Sequence, residues 1–79
     1  MGFNNVYKRI GKKIKLIRRS KGISQETLAL DSHLNRAYIG YIERGERHPS
    51  IETIYRISLA LKTPLYYFFK FNNDKTKLS

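Results

Sequence analysis

Apolar residues recur along the first third of the chain with a helical period. Phe3, Val6, Ile10, Ile14 and Ile17 are spaced by 3, 4, 4 and 3 residues. At about 100° per residue they fall within a stripe of about 80°. Lys8, Lys12, Lys15 and Arg19 fall on the opposite side. The pattern predicts an amphipathic helix over residues 4–20, ended by Gly22. Ser24 is a good N-cap for a short second helix over 25–31, with Glu26 in its first turn and Leu28 and Ala29 facing inward. Asn35 caps a third helix that runs through Arg44, is anchored by Ile39 and Ile42, and is stopped by Gly45. Ser50 opens a fourth, with Ile51, Ile54, Ile57 and Leu61 as its core stripe. Thr63-Pro64 opens a fifth, short helix with Pro at the first helical position. Leu65 and Phe68 are assigned inward there. No strand-like alternation and no internal repeat interrupts this series. The expected fold is all-α, a compact five-helix bundle over residues 1–71. Residues 72–79 form a polar tail expected to fray.

Composition narrows the chemistry. A chain of 79 residues makes one domain. It has no cysteine, hence no disulfide framework and no thiolate metal site. His33 and His48 are too few and too isolated for a metal cage. No nucleophile–base pair and no Gly-rich phosphate loop is present, so neither an enzyme nor a cofactor or metal protein is expected. The N-terminus lacks a secretory layout and no apolar run spans a membrane, which leads us to expect a cytoplasmic protein. The formal net charge is +10. A balance this basic points to a polyanionic partner, nucleic acid before an anionic membrane. The charge is uneven. Residues 1–21 hold eight basic side chains and no acid, while residues 22–48 hold three basic and four acidic ones. Something other than bulk charge must explain the middle.

That middle has the layout of a helix-turn-helix. Counted from Gln25 as one, the fourth residue is Leu28, the fifth Ala29, the tenth Leu34, the fifteenth Ile39 and the eighteenth Ile42. The fifth lies where two helices cross and must be small. The ninth lies in the turn and needs a positive φ, for which glycine is natural. Here it is His33, a residue that tolerates this region better than most.

The stretch Gly22-Ile23-Ser24-Gln25-Glu26-Thr27-Leu28-Ala29, followed by Leu34-Asn35-Arg36-Ala37-Tyr38-Ile39 and Ile42-Glu43-Arg44-Gly45, resembles the phage repressor/Cro-like (XRE) helix-turn-helix family. The run from Arg36 to Ile51 is most similar to the controller proteins of restriction–modification systems. Their third helix typically reads Arg-Thr-Tyr-Ile-Ser-x-Ile-Glu-Arg-Gly. Ala37 and Gly40 stand here in place of Thr and Ser. The resemblance implies a lambda-repressor-like DNA-binding domain. It implies a regulator acting as a dimer on a double-stranded DNA operator, at its own promoter and at that of the endonuclease gene. A second dimer per operator and contact with RNA polymerase belong to the same expectation. It also implies that Glu43 pairs with Arg18 and braces the third helix.

Site residues follow from the third helix entering the major groove by its N-terminal turn. Arg36 can make the bidentate contact to guanine, Ala37 can touch a thymine methyl, and Tyr38 flanks them, so these three are candidate base contacts. Gln25, Asn35, Tyr41, Arg44, Arg47 and His48 are candidate contacts to the DNA backbone. Tyr55, Leu59, Tyr66 and Phe69 are candidates for the dimer interface. The competing readings are a phage-type or antitoxin-like repressor and, more remotely, a basic amphipathic membrane-surface or RNA-binding protein.

Overall fold

The structure is a computed structural model that describes residues 3–71, with side chains from Val6 onward. Among the described residues four α-helices are followed by a 3-10 turn: α1 Phe3–Ser20, α2 Gln25–Ser32, α3 Arg36–Glu43, α4 Ile51–Ala60 and the turn Leu65–Phe69. No strand occurs among the described residues. The expected inward position of Phe3 and the expected frayed tail both lie outside the description.

Side-chain caps start the helices where serine and asparagine predict. Ser24 Oγ accepts from the Thr27 amide, Ser50 Oγ from the Thr53 amide, and Asn35 Oδ1 from the amides of Ala37 and Tyr38. Each satisfies a donor that the first helical turn leaves without a partner. The four helices also share one ending. The amide of Ile23 donates to the Arg18 carbonyl, Leu34 to Ala29, Glu46 to Tyr41 and Thr63 to Ser58. In each case the residue before the donor is left-handed: Gly22 at φ 70°, His33 at 59°, Gly45 at 74° and Lys62 at 52°. This is the Schellman termination, which glycine fills without strain and other residues do not. The positive φ expected at His33 is present.

The core is built from Ile10 and Ile14 of α1, Leu28 and Ala29 of α2, Ile39 and Ile42 of α3, Ile54 and Ile57 of α4, with Leu61 and Phe68 closing the far end. Three expectations need correction. Val6 is 42% exposed and Ile51 60% exposed, so neither belongs to the core. Both lie near helix N-termini, where the first turn projects beyond the packed layer. The fifth element is a 3-10 turn and not a full α-helix, so the bundle has four helices plus a turn. Pro64 has φ −58° and ψ 143° and caps this turn from outside instead of occupying its first helical position. Five residues are too few for a stable α-helix, and the tighter 3-10 bonding suits a short segment seated by one buried ring, Phe68.

One glycine sets the approach of α1 to α3. A Cβ built on Gly11 falls 2.8 Å from the Glu43 carbonyl oxygen and closer still to that of Ile42. Any side chain at Gly11 would therefore hold the C-terminal end of α3 away from α1. Just beyond α3, a Cβ on Gly45 would lie 3.0 Å from Lys8 Cα, so the same flank of α1 continues along the turn.

Candidate nucleic-acid interface

The second and third helices sit as a helix-turn-helix requires. Ala29 is buried at their crossing, and Leu34 packs against the core from the turn. The orientation of α3 is fixed by Glu43 at its C-terminal end. Arg18 Nε donates to Glu43 Oε2 at 2.6 Å, and Arg18 Nη2 to Oε1 at 3.2 Å. Gln25 Nε2 donates to the same Oε1 at 2.9 Å. Arg18 also holds the Ile23 carbonyl at 2.8 Å. One buried carboxylate thus ties α1, α2 and α3 together, with charge-assisted bonds in the forked Arg–carboxylate geometry. The pairing implied for Arg18 and Glu43 is formed.

The N-terminal turn of α3 carries no such ties. Arg36 and Ala37 are exposed and make no side-chain hydrogen bond or ion pair among the described residues. Tyr38 is half-buried and packs against the core, which leaves part of its ring for a ligand. Asn35 is exposed but spends its carbonyl oxygen on the cap, so only its amide group is free to donate. Gln25 is half-buried, and its amide donor is turned toward Glu43. The bond makes Gln25 part of the brace, a role the sequence did not assign to it. Its side chain borders Gly40, whose added Cβ would be 3.9 Å from Gln25 Nε2.

Along the rest of α3 the exposed surface is basic and aromatic. Arg44 and Arg47 both lie over the ring of Tyr41, at 5.2 and 4.4 Å from its centroid. The stacked arrangement keeps two guanidinium groups on one side of the helix. Arg44 also pairs with Glu46 at 3.2 Å, both largely exposed. In the loop after α3, His48 stacks on Tyr7 of α1, with ring centroids 4.1 Å apart and planes 12° from parallel. Tyr7 was not singled out by the sequence. Its spacing places it beside the core stripe, and only the fold brings the loop to it. The proposed dimer residues lie elsewhere: Tyr55, Leu59, Tyr66 and Phe69 are all exposed on α4 and the 3-10 turn. No helix among the described residues is long and apolar enough to cross a membrane.

Comparison with known proteins agrees with this geometry. Residues 14–68 match the family profile described as helix-turn-helix. The chain is 48% identical over 59 residues to the control protein C.BamHI of Bacillus amyloliquefaciens, covering 73% of each chain. The crystal structure of the restriction–modification controller protein C.AhdI from Aeromonas hydrophila superposes with TM-score 0.78 at 38% identity, over 80% of this chain and 96% of that one. The controller C.Esp1396I, solved as a tetramer on its natural 35 base-pair operator, superposes with TM-score 0.76 at 38% identity, over 81% of this chain and 84% of that one. With the brace, the left-handed turn and the open first turn of α3 in place, the chain belongs to the helix-turn-helix family of transcription regulators, alongside the controller proteins of restriction–modification systems.

Proposed function

We propose that this protein is a sequence-specific regulator of transcription, a controller protein that binds double-stranded operator DNA as a homodimer. It acts in the cytoplasm on its own promoter and on that of a restriction endonuclease gene, with RNA polymerase as its further partner. The observation that carries this reading is the contrast along α3. Its C-terminal end is held by a buried carboxylate shared by three helices, while the side chains of Arg36 and Ala37 at its N-terminal end make no hydrogen bond or ion pair among the described residues. Major-groove reading needs that combination of a rigid support and free side chains at the tip. Arg36 supplies the bidentate donor for guanine. Ala37 supplies an apolar contact and no hydrogen bond, so its base preference differs from that of relatives with Thr at this place. Tyr41, Arg44, Arg47 and His48 hold phosphates on either side.

A single small module buries only about 600–1,000 Å² on DNA, which is little for specific binding. Pairing two protomers on half-sites about one helical turn apart supplies the rest. Exposed apolar side chains on α4 and the 3-10 turn favour this assembly. Tyr55, Leu59, Tyr66 and Phe69 form the proposed contact, and Ile51 extends it.

Selection from a pool of random duplexes tests the reading. The expected product is a two-fold symmetric site. On it, Arg36→Ala weakens binding by about 1–3 kcal/mol and relaxes one base position in each half-site. Full selectivity in that variant would overturn the assignment of α3.

A further inference from the structure

The basic residues of α1 divide into two groups. Arg18 is consumed by Glu43. Lys13 lies over the Tyr67 ring at 4.6 Å, and Arg9 over Phe71 at 5.5 Å, so both are engaged on the side facing the chain's end. Lys8, Lys12, Lys15 and Arg19 form the other group. They follow one another at spacings of four, three and four residues, which puts them on one face over about 16 Å of helix. None has an ion pair among the described residues. All four line one groove of about 560 Å³, together with Arg44 at the end of α3. Glu43 borders the groove, but its oxygens already accept from Arg18 and Gln25. Like charges three and four residues apart destabilise a helix, and no acid within the described chain relieves them. The stripe is also continuous with the proposed DNA surface. Lys8 abuts Gly45, directly after α3, and Arg44 joins the groove to Tyr41 and Arg47.

We propose that this stripe grips the phosphate backbone of duplex DNA beside the groove that α3 enters, as a second contact surface that carries affinity without sequence. The inference rests on α3 being the base-reading helix. The charge complementarity favours phosphate. The single exposed apolar residue of the groove, Leu16, is too little for insertion into a lipid surface, which takes a broad apolar face.

The test compares the full chain with a triple variant, Lys12→Gln, Lys15→Gln and Arg19→Gln. Lys8 is kept because its stem packs on Gly45. Affinities are measured against salt concentration for a selected operator duplex and for a random duplex, with thermal melting as the check on folding. Each lost phosphate contact flattens the plot of log K against log salt by about 0.9, or about 2.7 per bound protomer for three side chains. The expected result is that flattening on both duplexes, with the ratio of operator to random affinity unchanged. A variant with the wild-type slope and intact selectivity overturns the stripe and leaves the α3 assignment standing. A wild-type protein that does not discriminate between duplexes overturns the α3 assignment, while the slope on random DNA still judges the stripe. An unchanged DNA slope with loss of pelleting on phosphatidylglycerol vesicles overturns the proposal in favour of a lipid surface.

Discussion

Replacing Gly11 with alanine adds one methyl group, and the structure predicts that it destabilises the protein. The added Cβ would meet two backbone carbonyl oxygens of α3, at 2.8 Å from Glu43 and nearer from Ile42. Backbone atoms cannot rotate away as a side-chain tip can. To restore ordinary C···O contact near 3.3 Å, α1 and α3 must part by about 1 Å. Overpacking of this kind costs about 3 kcal/mol at the upper end of its usual range. Alanine returns about 1 kcal/mol through its better helix propensity. The net loss is about 2 kcal/mol, and for a domain of this size Tm falls by about 8–16 °C. Gly40→Ala is the matched control, because it is the same substitution on the partner helix. Its Cβ would come closest to the Arg44 Nη1 tip, at 3.2 Å, with Gln25 Nε2 at an ordinary contact distance of 3.9 Å. That flexible tip moves aside, the propensity gain remains, and Tm rises by about 4–8 °C. Thermal unfolding followed by circular dichroism measures both. If Gly11→Ala were as stable as the parent, the close crossing of α1 and α3 would be refuted.

Other substitutions probe the turn and the brace. His33→Gly relieves an L-residue held in the left-handed region and is expected to stabilise by about 1 kcal/mol, read as a shift of the urea midpoint at unchanged slope. A lowered midpoint would mean that the imidazole makes a contact worth more than the strain. Glu43→Ala leaves Arg18 buried without its counter-charge and should cost about 3–5 kcal/mol. The double variant Arg18→Met with Glu43→Leu should recover most of that loss, and an equal loss in both variants would argue against the ion pair as the cause.

The helix starts were legible because serine and asparagine caps act locally, over three residues of sequence. The turn geometry at His33 was legible for the same reason, since the position fixes the backbone whatever residue fills it. The misjudged positions each depended on what lies beyond the helix in space. Val6 and Ile51 match the periodicity of their helices, yet no element among the described residues covers the ends where they sit. The 3-10 turn has the composition of a helix, but its length cannot support one. The bond from Gln25 to Glu43 joins residues eighteen apart in the chain, so no local pattern announces it. Tyr7 and Gly11 acquire their roles only when α1 meets the end of α3. A glycine in a helix interior was the available signal, because it costs about 1 kcal/mol relative to alanine unless something approaches closely.

The open tip of α3 has a consequence for how such a protein can change its target. The side chains of Arg36 and Ala37 make no hydrogen bond or ion pair among the described residues, and the support of the helix is concentrated at its other end, at Glu43. On the proposed reading of α3, selection on recognition and selection on folding then act on separate residues. A lineage can exchange the two tip side chains, drift to a new operator, and keep its architecture, so an old promoter and a new one can come under diverging regulators without an unstable intermediate.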